Sequence, residues 1–64
     1  MKIFIEKKNK KLIKKFNGKA RLLLKELKIN SEEVLIVKNN MLITLEETIT
    51  DKDNIKILSV ISGG

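Results

Sequence analysis

At 64 residues, 42% of them hydrophobic, and with a net charge of +6, the chain has material for one small domain with a single core layer. It contains no Cys, His, Tyr or Trp, which removes disulfide staples, thiolate metal sites, the usual general base and the strongest nucleophile. No apolar run approaches the roughly 20 residues that span a bilayer, and no signal-like segment opens the chain, so a soluble cytoplasmic protein without a membrane partner is expected.

The opening "KIFIE" (2–6) is rich in β-formers, with Ile3 and Ile5 on one face and Phe4 on the other. "KKNK" is a polar turn around Asn9. "KLIKKF" (11–16) is a second strand, so the first two segments form a hairpin; either Leu12 with Phe16, or Ile13 alone, points inward. Asn17-Gly18 breaks that strand.

A helix is predicted near residues 18–28, about ten residues long. Ala20, Leu23, Leu24 and Leu27 recur at the spacing of one helical face, with Leu22 off the stripe. Asn17 is the expected N-cap, and Lys25 and Lys28 suit the last turn. So short a helix needs a sheet to lie on.

"NSEE" (30–33) is a loop. "VLIVKNNMLIT" is a second hairpin, turning at Asn39-Asn40. "LEETITDKDN" reads as a connection that ends in a turn over 51–54. "IKILSVI" (55–61) is the last strand, with Ile55, Ile57, Ser59 and Ile61 on one face and Lys56, Leu58 and Val60 on the other. The order strand, strand, helix, strand, strand, strand describes an α+β domain in two layers. Residues 1–61 form the domain and 62–64 a tail.

Charge is uneven along the chain. Residues 1–28 carry eleven Lys/Arg against two Glu, and residues 29–64 carry three Lys against six acids. The dense stretch "KKNKKLIKKF" invites a nucleic-acid reading. Single-strand binders also need stacking faces, and only Phe4 and Phe16 are present. The basic hairpin therefore reads as a solvated face or as a docking surface for an acidic protein. Glu32-Glu33 and Glu46-Glu47 lie in loop contexts beside strands and read as solvated surface with turn roles, so a non-enzymatic protein is expected.

Together these segments resemble a known family. "MKIFI" is similar to the start of ubiquitin. The helix "ARLLLKEL", the hairpin "VLIVKNNMLI", the stretch "DKDNIKIL" and the ending "SVISGG" look like the ubiquitin-like sulfur-carrier proteins of thiamine and molybdopterin synthesis, and like small archaeal ubiquitin-like modifiers. The resemblance implies a ubiquitin-like β-grasp fold, one helix on a mixed sheet of four to five strands, with the first and last strands adjacent and parallel. The departures are Lys19-Ala20 where the family often has a Thr cap and an aliphatic residue, and Lys52 where a Gly commonly precedes the Asp matched by Asp53.

The resemblance also implies that Gly64 is the working end. A carboxylate is a poor acyl donor until it is activated, here by an adenylating enzyme of the ubiquitin-activating type that uses ATP; no bound cofactor and no metal site are expected in the chain itself. Glycine has no Cβ and lets the backbone pass a narrow channel, which suits Gly63 and Gly64 behind Ser62. Residues 61–64 can extend about 13 Å into such a cleft. The activated Gly64 then becomes a thiocarboxylate that delivers sulfur to a synthase for thiamine, molybdopterin or thiolated tRNA. Alternatively it is joined to target-protein lysines, making the chain a modifier. A basic nucleic-acid-binding module that never uses its tail is the outside reading. Docking is expected on the sheet face opposite the helix, at Leu58 and Val60 with Phe4 beside them and Ile61 at the strand exit. The alternative is a reversed facing that puts Leu58 and Val60 in the core. The basic hairpin is expected to steer the chain onto an acidic activating enzyme.

Overall fold

A computed structural model of the chain describes residues 1–60; Ile61, Ser62, Gly63 and Gly64, on which the tail expectations fall, lie outside the described residues. Strand β1 (Lys2–Ile5) runs through a short 3-10 turn into β2 (Lys10–Ile13). Then come β3 (Gly18–Lys19), the helix α1 (Ala20–Glu26), a 3-10 turn over Ser31–Glu33, β4 (Val34–Lys38), β5 (Met41–Ile43), β6 (Thr48–Ile49) and β7 (Asn54–Ser59). Five strands form one sheet in the order β2-β1-β7-β4-β5, and β3 pairs with β6 in a separate ribbon.

The first strand pairs in parallel with the last, Ile3 beside Ile55 and Ile5 beside Ile57. Antiparallel hairpins flank this central pair on both sides. The two-residue alternation puts Ile3, Ile5, Ile36, Ile55 and Ile57 on one face, all of them buried. The helix supplies Ala20, Leu23 and Leu24 to the same core, and Leu22 stays exposed off the stripe. Each fully buried leucine contributes about 1.5–3 kcal/mol. That burial, more than intrinsic propensity, is what sustains a seven-residue helix.

Several boundaries differ from the sequence reading. Strand β2 ends at Ile13, and Phe16 reaches the core from the following loop. Leu12 is half-buried and Ile13 lies 84% in solvent, which settles the facing in favour of Leu12 with Phe16. The polar turn before β2 is a 3-10 turn closed by Asn9 in the left-handed conformation.

Asn17 is not the helix cap. The N-cap position is Lys19, with no side-chain capping bond. The first amides are satisfied by backbone instead: Ala20 N–H donates to Glu47 O at 2.9 Å and Arg21 N–H to Leu45 O at 3.0 Å. This explains why the helix starts late. Gly18 and Lys19 are held as a strand against Thr48 and Ile49, which also makes the supposed loop over 45–54 a structured flap whose Ile49 is fully buried. Gly18 is required there, because it sits at φ 155° with the Phe16 ring 3.2 Å from where a Cβ would stand.

At its other end the helix closes with Lys28 at φ 59°. Lys28 N–H donates to Lys25 O, and Ile29 N–H reaches back to Leu24 O. This is the Schellman pattern, with a lysine at the left-handed position that glycine usually fills.

Candidate functional site: the open face of the sheet and the end of β7

The helix and the flap cover one face of the sheet. The other face carries the alternate residues of every strand. On β7 these are Asn54, Lys56 and Leu58, with Val60 just beyond its end, and on β1 Lys2 and Phe4. Leu58 lies across from Leu35, and Lys56 across from Val37, which in turn faces Leu42 on β5. Leu58 is half-buried and Val60 is 47% exposed, with Leu35 at 43% and Leu42 at 63%. Leu58 and Val60 therefore stand on the face opposite the helix, not in the core. Burial of their alternates, Ile55 and Ile57, fixes that facing.

Phe4 is on the same face and half-buried, but it lies opposite Lys56, not Leu58. It belongs to a neighbouring region of the sheet. Ile61 is outside the described residues. Leu35 and Leu42 were missed as members of the patch. Their signal is present in "VLIVKNNMLI": both faces of that hairpin are apolar, a pattern expected of a sheet covered on both sides, and here only one face is covered.

The backbone leads out of the sheet at this patch. Ser59 is still in register with Val34, and Val60 N–H donates to Glu33 O at 3.0 Å. The 3-10 turn that presents Glu33 is itself fixed by Asn30, whose side-chain oxygen accepts from Glu32 N–H. The chain is thus held in place up to Val60, between the apolar side chains of Leu58 and Leu35 and the edge of the turn.

Charge is arranged around this face, not on the patch. Lys19 and Arg21 both pair with Glu46, and Lys38 pairs with Glu47, on the flap side. Hydrogen bonds from Lys19 first, and then from Arg21, hold the Glu46 carboxyl below the usual carboxylate range. Asp53 is also lowered, chiefly by the Thr50 backbone N–H and then by the Asn39 side chain. Both carboxylates have structural roles in turns and ion pairs. Of the basic hairpin, Lys14 pairs with Glu26 at 3.1 Å, while Lys7 and Lys8 lie in the exposed 3-10 turn. No group of three or more metal-ligating side chains is found among the described residues.

The ThiS family model matches residues 5–64 of the chain, from the end of β1 through the last glycine. The chain belongs to the ThiS family. It is 42% identical over 50 residues to the sulfur carrier protein TtuB of Thermus thermophilus, covering 78% of this chain and 77% of that protein. Its structure resembles the solution structure of a thiamine biosynthesis protein from Geobacter metallireducens, with a TM-score of 0.61 at 23% identity, covering 100% of this chain and 88% of the other. At that identity the second likeness speaks to the fold alone. It agrees with the ubiquitin-like β-grasp order described above, one helix on a mixed five-stranded sheet.

Proposed function

We propose that the chain is a sulfur carrier of thiamine or tRNA thiolation that works through the carboxyl group of Gly64. The observation that carries this reading is the reach of the family match, which extends to Gly64 and so takes in Ser62 and Gly63. The likeness to TtuB, a sulfur carrier by name, supports the carrier over a modifier joined to lysines.

The chemistry has two steps. A Gly64 carboxylate oxygen attacks the α-phosphorus of ATP in an adenylating enzyme, and pyrophosphate leaves. Hydrosulfide then attacks the acyl carbon and AMP leaves, so that one carboxylate oxygen is replaced by sulfur. The thiocarboxylate delivers that sulfur to an accepting enzyme. ATP belongs to the activating enzyme, and the reaction we propose is a cytoplasmic one. The chain supplies the acyl group, the narrow glycine ending and a docking surface.

The patch formed by Leu35, Leu42, Leu58 and Val60 is the surface we assign to the adenylating enzyme. It is apolar, half open and continuous with the strand that leads to the tail. An enzyme seated there receives the four residues that follow Val60, and the lysines of the basic hairpin without an ion-pair partner among the described residues favour approach by an acidic surface. Pyrophosphate release by the cognate adenylating enzyme, with and without this chain, tests the reading. Release that depends on the chain is expected, and release indifferent to it would refute the assignment.

A further inference from the structure

On the β2-β1-β7 side of the open face the sheet forms a groove distinct from the apolar patch beside Val60. Its lining includes Lys2, Phe4, Lys11, Ile13, Asn54 and Lys56. The register places Phe4 between Lys11 on one neighbouring strand and Lys56 on the other. Lys2 lies in the same way between Ile13 and Asn54. The floor is therefore a half-buried aromatic ring, one rim carries an isoleucine that is 84% exposed, and three ammonium groups surround them.

The groove concentrates positive charge. Lys11 and Lys56 flank Phe4 two strand spacings apart, about 10 Å. None of Lys2, Lys11 and Lys56 has an ion-pair partner among the described residues, so all three ammonium groups are open to an incoming anion. Among the described residues no carboxylate lines the groove. An apolar floor ringed by unpaired cations is complementary to a ligand with negative charges around an apolar centre.

We propose that this groove binds an acidic segment of a partner protein that carries one large apolar side chain. The apolar side chain lies against Phe4 and Ile13, and flanking Asp or Glu carboxylates meet Lys2, Lys11 and Lys56. A nucleic-acid strand fits less well. It offers phosphates to the lysines, but the groove contains no arginine, and Phe4, the one aromatic platform for a base, is set into a strand where its ring is only half accessible. The groove binds such a segment whatever group Gly64 carries, so failure of the sulfur-carrier reading leaves it standing.

The test uses the full isotope-labelled chain and three probes: a short peptide alternating Asp and Leu, a peptide of the same charge with Ser in place of Leu, and a single-stranded RNA oligonucleotide. The Asp/Leu peptide should shift the amide resonances of Phe4, Lys11, Ile13 and Lys56 and leave those of Leu35 and Leu42 in place. It should bind at least about tenfold more tightly than the Ser peptide. Lys11→Glu combined with Lys56→Glu should abolish that binding, and Lys11→Ala with Lys56→Ala, which removes charge without reversing it, should weaken it about tenfold or more. Equal binding of the two peptides would reduce the groove to an unspecific cationic surface and overturn the proposal. So would resonance shifts confined to the Leu35 and Leu42 region, or tighter binding of the RNA than of the Asp/Leu peptide.

Discussion

Asn39 and Asp53 clasp each other across the sheet. The Asn39 side-chain amide donates to Asp53 Oδ1 at 2.9 Å, and the Asn39 side-chain oxygen accepts from Asn54 N–H at 2.9 Å. Asn39 occupies the first left-handed position of the β4–β5 turn, and Asp53 caps the turn that starts β7, accepting from Thr50 N–H at 2.8 Å. One residue pair thus sets the turn of the second hairpin against the start of β7, the last strand.

That clasp makes stability depend on the ionisation of Asp53. Its pKa is lowered in the folded state, so its contribution is complete above the unfolded carboxylate range and fades as pH falls through the folded value. Asp53→Asn should lower the melting temperature at pH 7. The gap to the parent should narrow at acid pH, as the pH falls from the unfolded carboxylate range, about pH 4, through the lowered folded value, where the parent also loses the charge. Melting curves at the two pH values check this, and a gap that stays constant would remove the carboxylate charge from the account.

The helix end offers a test of opposite sign. Lys28 adopts φ 59°, a conformation that costs an ordinary residue about 1–2 kcal/mol and glycine little. Lys28→Gly should raise stability by about 0.5–1 kcal/mol, the cap gain being partly offset by the loss of a cation at the helix C-terminus. Denaturant unfolding measures it. A loss of stability would mean that the lysine has a compensating contact.

Most of the architecture was legible in the sequence because it rests on repeated signals. Ile3, Ile5, Ile55 and Ile57 alternate, Ala20, Leu23, Leu24 and Leu27 recur at helical spacing, and Asn39-Asn40 announces a two-residue turn. Strands β3 and β6 were not legible. Each is two residues long, too short for a period, and they exist because they pair with each other over the start of the helix. Ile49 is the residue that hints at this, an isolated isoleucine in a polar stretch that proves fully buried. The same flap displaced the cap, since carbonyls distant in sequence supplied what Asn17 was expected to give. The open face of the sheet was legible in part. Leu58 and Val60 follow from alternation along one strand, whereas Leu35, Leu42 and the placement of Phe4 beside Lys56 depend on sheet order and register.

The docking patch is tested by Leu58→Glu. Leu58 is half-buried and points away from the core, so the substitution should cost less than about 1.5 kcal/mol of stability. Affinity for the adenylating enzyme should fall at least about tenfold, because a carboxylate would be buried against an apolar partner surface. Calorimetric titration with that enzyme checks the affinity. Unchanged binding would move the interface elsewhere.

Deleting Gly64 should separate folding from function. The core runs from Ile3 to Ile57, so stability should change by no more than about 0.5 kcal/mol. Activation should nevertheless be abolished, because the carboxylate would sit about 3.3 Å short of the reacting phosphorus, and a misplacement of about 1 Å can already cost a hundredfold in rate. Gly63→Val should do similar harm by stiffening and widening the backbone. Pyrophosphate release with each variant is the assay, and full turnover by the shortened chain would show that Gly64 is not the acyl donor.

The most direct test of the sulfur-carrier assignment is intact mass spectrometry of the chain after incubation with its adenylating enzyme, ATP and a sulfide donor, followed by fragmentation from the carboxyl end. The account predicts a mass gain equal to the replacement of one oxygen by one sulfur, located on Gly64. An unchanged mass in a mixture that releases pyrophosphate, or a gain found only as conjugates to other proteins, would contradict it.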